Sequence, residues 1–137
     1  MLEPITISVA IKSNLHKVWD SYTQPRHVMH WNFANETWCC PDAKSDFKVG
    51  GMFIYRMASR DGNMSFNFEG KFTLIQPPHQ LNTILGDGRE VELVLIEKDN
   101  EIIVQQKFIP EDQNTAEMQR TGWLNILENF KKYVESN

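Results

Sequence analysis

At 137 residues, with 41% hydrophobic and 23% charged side chains, the chain has the make-up of an ordinary folded domain and not of a disordered or low-complexity one. A formal net charge of -4 without any Lys/Arg block speaks against a nucleic-acid partner. No apolar run approaches the roughly 20 residues of a membrane span, and two cysteines, Cys39 and Cys40, make no disulfide framework.

The N-terminal stretch lacks a basic n-region, so the expectation is one cytoplasmic domain over residues 1–137. Ile5, Ile7, Val9 and Ile11 alternate with polar or small residues, which predicts a strand with one buried face. Asn14 can cap a helix that puts Leu15, Val18, Trp19 and Tyr22 on one side. Thr23, followed by Pro25 in the first turn of "QPRH", predicts a second short helix. From Asn32 to Asp46 neither period holds and turn residues abound, so a long loop able to act as a lid is expected.

From Phe47 the pattern becomes a meander of about five strands, broken at "SRDGN", "QPPH", "DG" and "KDN". Gly50 and Gly51 enter this run as a bulge or sharp bend, and no phosphate-binding spacing surrounds them. "DGRE" reads as a tight hairpin turn. Asn114 or Thr115 opens a final helix of about 20 residues, whose stripe comprises Met118, Trp123, Ile126, Leu127, Phe130 and Val134. The predicted class is therefore α+β: a curved antiparallel sheet of about six strands around a long C-terminal helix.

The stretch "SFNFEGKF" puts Phe66, Phe68, Gly70 and Phe72 on one face. Phe53, Tyr55 and Met57 alternate in the preceding strand and would join them on a concave wall, with Trp31 and Trp38 flanking the long loop. Two readings of this wall compete: a packed core against Trp123 and its helix, or a pocket that the rings line. Gly70 reads as a place where the helix comes close. Gln106 falls on an inward position beside Ile102, Val104 and Phe108, while Gln119 and Arg120 start the long helix within reach of the same space. Such a cavity suits an amphipathic molecule bearing a carboxylate or carbonyl; the competing reading pairs Arg120 with a surface carboxylate.

Neither metal nor nucleophile chemistry finds support in the spacing. His27 and His30 at i, i+3 and the adjacent Cys39 and Cys40 match no common zinc pattern, and no carboxylate pair falls on inward positions. No cofactor is expected.

Taken together, "VWDSYTQPRHVMHWNFA", "DFKVGGMFIYRM", "DGREVEL" and "EMQRTGWLNILENFKKYV" resemble bacterial homologues of the activator of the heat-shock protein 90 ATPase, a branch of the START-like helix-grip superfamily. The resemblance implies a helix-grip fold with a cavity between sheet and long helix, which relatives use for lipids, sterols, polyketides or plant hormones. It implies no reaction. The eukaryotic activators carry a further N-terminal chaperone-binding domain, and the resemblance covers only its smaller companion, so that domain is not expected here. The expected activity is binding of a hydrophobic or amphipathic small molecule by a monomer or homodimer. A co-chaperone-type interaction module is the first alternative, and a cyclase- or hydratase-like enzyme the second.

Overall fold

Alternation makes the strands, and a computed structural model describing residues 2–137 shows how they assemble. Strand β1 (Ile5–Ile11) buries Ile5, Ile7, Val9 and Ile11 and exposes or half-exposes the residues between them. Helix α1 (Leu15–Thr23) starts where the Asn14 side chain accepts the Lys17 backbone N–H, and α2 (Pro25–Val28) follows directly. Thr23 does not cap α2. It closes α1 instead, its buried hydroxyl donating to the Trp19 carbonyl, and Gln24 stands at the junction without a side-chain cap.

Six further strands follow: β2 (Trp38–Ser45), β3 (Met52–Ser59), β4 (Ser65–Gln76), β5 (Gln80–Leu85), β6 (Glu90–Lys98) and β7 (Glu101–Phe108). They form with β1 a seven-stranded, wholly antiparallel sheet in the order β1-β7-β6-β5-β4-β3-β2. The curved sheet grips α3 (Ala116–Glu135), whose first turn is capped by Thr115 accepting from the Met118 N–H. Leu127, Phe130 and Val134 are buried under it, whereas Met118, expected on the same stripe, is 62% exposed.

The predicted lid is a strand for half its length. β2 lies at the sheet edge against β3, with a register shift between Cys39 and Asp42 around Pro41. Proline and an irregular ladder are tolerated at an edge, where one side of the strand has no partner. This is why "WCCPDAKS" shows no period of two, and why the sheet has seven strands and not six.

At the other edge α3 covers β1. Arg120 donates to the Thr6 carbonyl at 2.9 Å and Lys131 to the Ala10 carbonyl at 2.7 Å. Unpaired edge carbonyls are thereby satisfied by side chains from the helix.

Gly70 is indeed a close approach, although not to the helix. A Cβ there would sit 2.4 Å from the Ile84 carbonyl oxygen and 2.9 Å from the Phe53 ring, so neighbouring strands and a neighbouring ring impose the glycine.

Candidate functional site

The inward faces of β3 to β7 meet α1, the turn after α2 and α3 around a cavity of about 300 Å³. β3 contributes Phe53, Tyr55 and Met57, while β4 contributes Phe66, Phe68 and Phe72. In register, Tyr55 opposes Phe68, Met57 opposes Phe66 and Phe53 opposes Gly70. The ring missing at Gly70 leaves room for Phe53, which packs against Phe68 and Phe72 with centroids 5.8 and 5.5 Å away. Phe66 is 53% exposed and stands at the rim; Phe53 and Phe72 are buried.

Helix α3 adds Trp123 and Ile126 to the wall, with the Trp123 ring stacked on Phe108 at 4.1 Å. Trp31 lines the opposite side, donating its indole N–H to the Ser21 carbonyl and stacking on Tyr22 at 5.2 Å. The two readings of the aromatic wall are thus both true of different residues. Phe130 is core, and Phe66, Phe68 and Tyr55 border open space.

The polar groups of the cavity fall at two ends. At one end Gln106 donates through Nε2 to the Tyr22 hydroxyl at 2.7 Å, and Asn32 donates to the Met57 sulfur at 3.3 Å. Tyr55 joins this group with a hydroxyl that no protein group bonds among the described residues. At the other end stand Thr83 and Arg89.

Three expected members lie elsewhere. Trp38 is half-buried on β2, where it covers the outer side of Phe66 at 5.9 Å. Gln119 is buried beneath the loop before α3. It accepts from the Glu111 N–H and donates to the Glu111 and Asn114 carbonyls, so its amide is spent on pinning that loop. Arg120 is exposed and occupied by the Thr6 carbonyl, and it pairs with no surface carboxylate either. The histidines and cysteines are also apart. His27 Nδ1 shares a 2.6 Å hydrogen bond with the Tyr133 hydroxyl and His30 stacks on the same ring, while Cys39 and Cys40 sit on β2.

Sequence reading missed Arg89, Thr83, Asn32 and the aliphatic floor of Leu81, Val91 and Leu93 as cavity residues, and placed Tyr22 only in a helix stripe. One signal was present. In "REVEL" Arg89 shares the alternation of Val91 and Leu93, so it belongs to the inward face and not only to the turn.

Burial sets the chemistry of these groups. It pushes the Tyr22 phenol up from 10.0 to about 12, with the Gln106 hydrogen bond pulling weakly back, and it pushes the Cys40 thiol from 9.0 to about 11. Tyr55 moves the same way, first through burial and then through its neighbours Tyr22 and Cys40. All three are neutral donors at physiological pH, and none is a base. Each folded-state value is raised, so the stability these neutral groups contribute is complete below about pH 9 and is lost as pH rises through about 12. The urea midpoint is expected to fall over that window, and to fall less steeply for a Tyr22→Phe, Cys40→Ala double variant. Equal slopes for the two proteins would contradict this assignment.

A family model described as Activator of Hsp90 ATPase homolog 1-like protein matches residues 12–135. The solution structure of an AHSA1-like protein from Aeromonas hydrophila is 35% identical, with 96% of this chain and 93% of that one covered and a TM-score of 0.89. A protein from Cytophaga hutchinsonii is 37% identical over 97% of this chain and 92% of its own, with a TM-score of 0.83. The Aha1 dimer from Colwellia psychrerythraea, 17% identical with coverage of 98% and 97% and a TM-score of 0.77, shares the fold. No curated protein matches the chain.

Proposed function

The chain belongs to the Activator of Hsp90 ATPase homolog 1-like family, and from that premise we propose that it binds an amphipathic small molecule in the cavity between sheet and α3 without transforming it. The observation that carries this reading is the unbonded Tyr55 hydroxyl in a ring-lined cavity of about 300 Å³. A hydroxyl without a protein partner, open to a cavity walled mainly by apolar side chains, is free to exchange water for a ligand oxygen. A few convergent polar groups in an apolar, preformed concavity are the usual form of a small-molecule site.

Binding without turnover is supported by the ionisable side chains that line the cavity among the described residues, which are Tyr22, Tyr55 and Arg89. Two neutral phenols and a guanidinium offer no general base near neutral pH. The co-chaperone-type reading would instead use the outward face of the sheet. Met52 and Ile54 are exposed there on β3, but their register partners Lys71, Glu69 and Lys44 are charged, which breaks up the apolar surface.

Native mass spectrometry of protein purified from its source cells tests the proposal, with denaturation to release and identify any bound compound. A stoichiometric amphipathic compound is the expected result. Its repeated absence, together with retention of a protein partner through purification, would transfer the function to the outer surface. Phe68→Ala sharpens the test. Because Phe68 is half-buried and borders open space, its loss is expected to cost less than the about 3–5 kcal/mol of a packed phenylalanine. Its loss should also weaken ligand binding at least about tenfold, the equivalent of roughly 1.4 kcal/mol. A full stability cost with unchanged binding would make the ring core and not wall.

A further inference from the structure

Arg89 is the cavity's charged lining residue, and its guanidinium is held from two sides. Its Nε donates to the Asp87 carboxylate at 2.7 Å, and its Nη1 donates to the Ile109 carbonyl at 3.1 Å. Asp87 in turn accepts the Arg89 backbone N–H at 3.2 Å, and the Leu85 N–H donates to the Arg89 carbonyl at 2.8 Å. The hairpin therefore fixes where the fork lies, and Nη2 has no protein partner among the described residues.

The side chain of Asp87 is 53% exposed against 22% for Arg89, so the carboxylate lies on the solvent side of the pair and the guanidinium on the cavity side. Thr83, opposite Val91 in the ladder, places a hydroxyl-bearing residue beside this end. The remaining walls are rings, aliphatic groups and neutral dipoles. A second charge on a ligand would find no counterpart there, and a cationic ligand would meet repulsion from Arg89.

Size narrows the class further. A space of about 300 Å³ lies at the lower end of the range usual for small-molecule sites. That favours a compound of one or two rings or a medium-length chain over a sterol.

Resting on the cavity being a binding site, we infer that it takes a compact monocarboxylate, with the carboxylate on Arg89 beside Thr83 and the apolar body against Phe53, Phe68 and Trp123. A planar guanidinium with an open Nη2 is well formed for one carboxylate oxygen, and its two fixed bonds mean that little side-chain freedom is lost on binding. An acceptor at the far end of the molecule would meet the Tyr55 hydroxyl.

Isothermal titration calorimetry with decanoate and 4-phenylbutanoate, each beside its primary amide, and with cholesterol tests the assignment. The acids are expected to bind the unmodified protein, and the amides at least about tenfold more weakly, in keeping with a lost charge-assisted hydrogen bond. Arg89→Gln should abolish the preference for acid over amide. Phe68→Ala should weaken both and keep their ratio. Arg89→Lys retains the cation and is expected to keep part of the preference, and it carries the test if thermal unfolding shows that Arg89→Gln no longer folds. Equal binding of acid and amide, or an acid preference that survives Arg89→Gln, overturns the head-group assignment while the cavity remains a binding site. Tight binding of cholesterol with no binding of the acids overturns the size argument. If neither acid nor amide binds and source-purified protein releases no compound, the binding function falls with it.

Discussion

Truncating Phe130 to alanine is expected to cost about 3–5 kcal/mol, at least a fifth of the about 5–15 kcal/mol that stabilises an ordinary domain. The ring is 0% exposed on α3, at the point where the helix meets the two short helices. It packs edge-on against Trp31 at 4.7 Å and against Tyr22 at 5.4 Å. These contacts hold the two residues whose other faces line the cavity. Loss of the ring therefore removes transfer free energy and leaves a void whose neighbours cannot collapse, because Trp31 is tied to the Ser21 carbonyl and Tyr22 to Gln106. Urea denaturation would show a lower midpoint at unchanged slope. A loss below about 1.5 kcal/mol, the cost of a volume-conserving swap, would mean that the cavity wall is plastic and refills the space.

Gly51→Ala is the second large effect, and its cause is backbone and not side chain. A Cβ at this position would lie 2.0 Å from the Asp46 carbonyl oxygen and 3.0 Å from that of Lys48. The same residue accepts the Phe72 N–H, and the preceding Gly50, at a φ of 86°, donates to the Phe72 carbonyl. The pair thus carries the chain from β2 into β3 while hydrogen-bonded to β4, a close approach of the kind for which strands use glycine. Relief of the contact would break these bonds or displace β2, so the cost is expected at or above the upper end of the about 1–3 kcal/mol typical of overpacking. Circular dichroism during thermal unfolding, with amide exchange at Phe72, would measure both consequences. An unchanged melting temperature would show that the turn has another conformation available.

Much of the architecture was legible because local pattern and tertiary role coincided. β1, β7 and α3 have one face against the core, so Ile5 to Ile11, Ile102 to Phe108 and the stripe through Phe130 carry periods of 2 and 3.6 that only one element type satisfies. β2 escaped because an edge strand is free to bulge and to hold Pro41. Thr23 misled for a related reason: a residue suited to capping is equally suited to closing a helix by bonding the carbonyl four residues back.

The site divides in the same way. Alternation by itself determined which rings of β3 and β4 share a face, and that Gln106 sits inward with Phe108, since on a strand each side chain's side follows from its neighbours. The choice of arginine was a tertiary matter. Alternation with Val91 and Leu93 gave Arg89 an inward side but not a partner, and Arg120 stands within reach of the same space; the second is claimed by an open edge carbonyl of β1, and the first is held at the cavity by Asp87 and the Ile109 carbonyl, 20 residues away in sequence. Whether rings fill a concave sheet or leave space in it was likewise decided only in three dimensions. The answer depends on how far α3 stands off the sheet, which is set by Phe130 and Trp123 against partners distant in the chain.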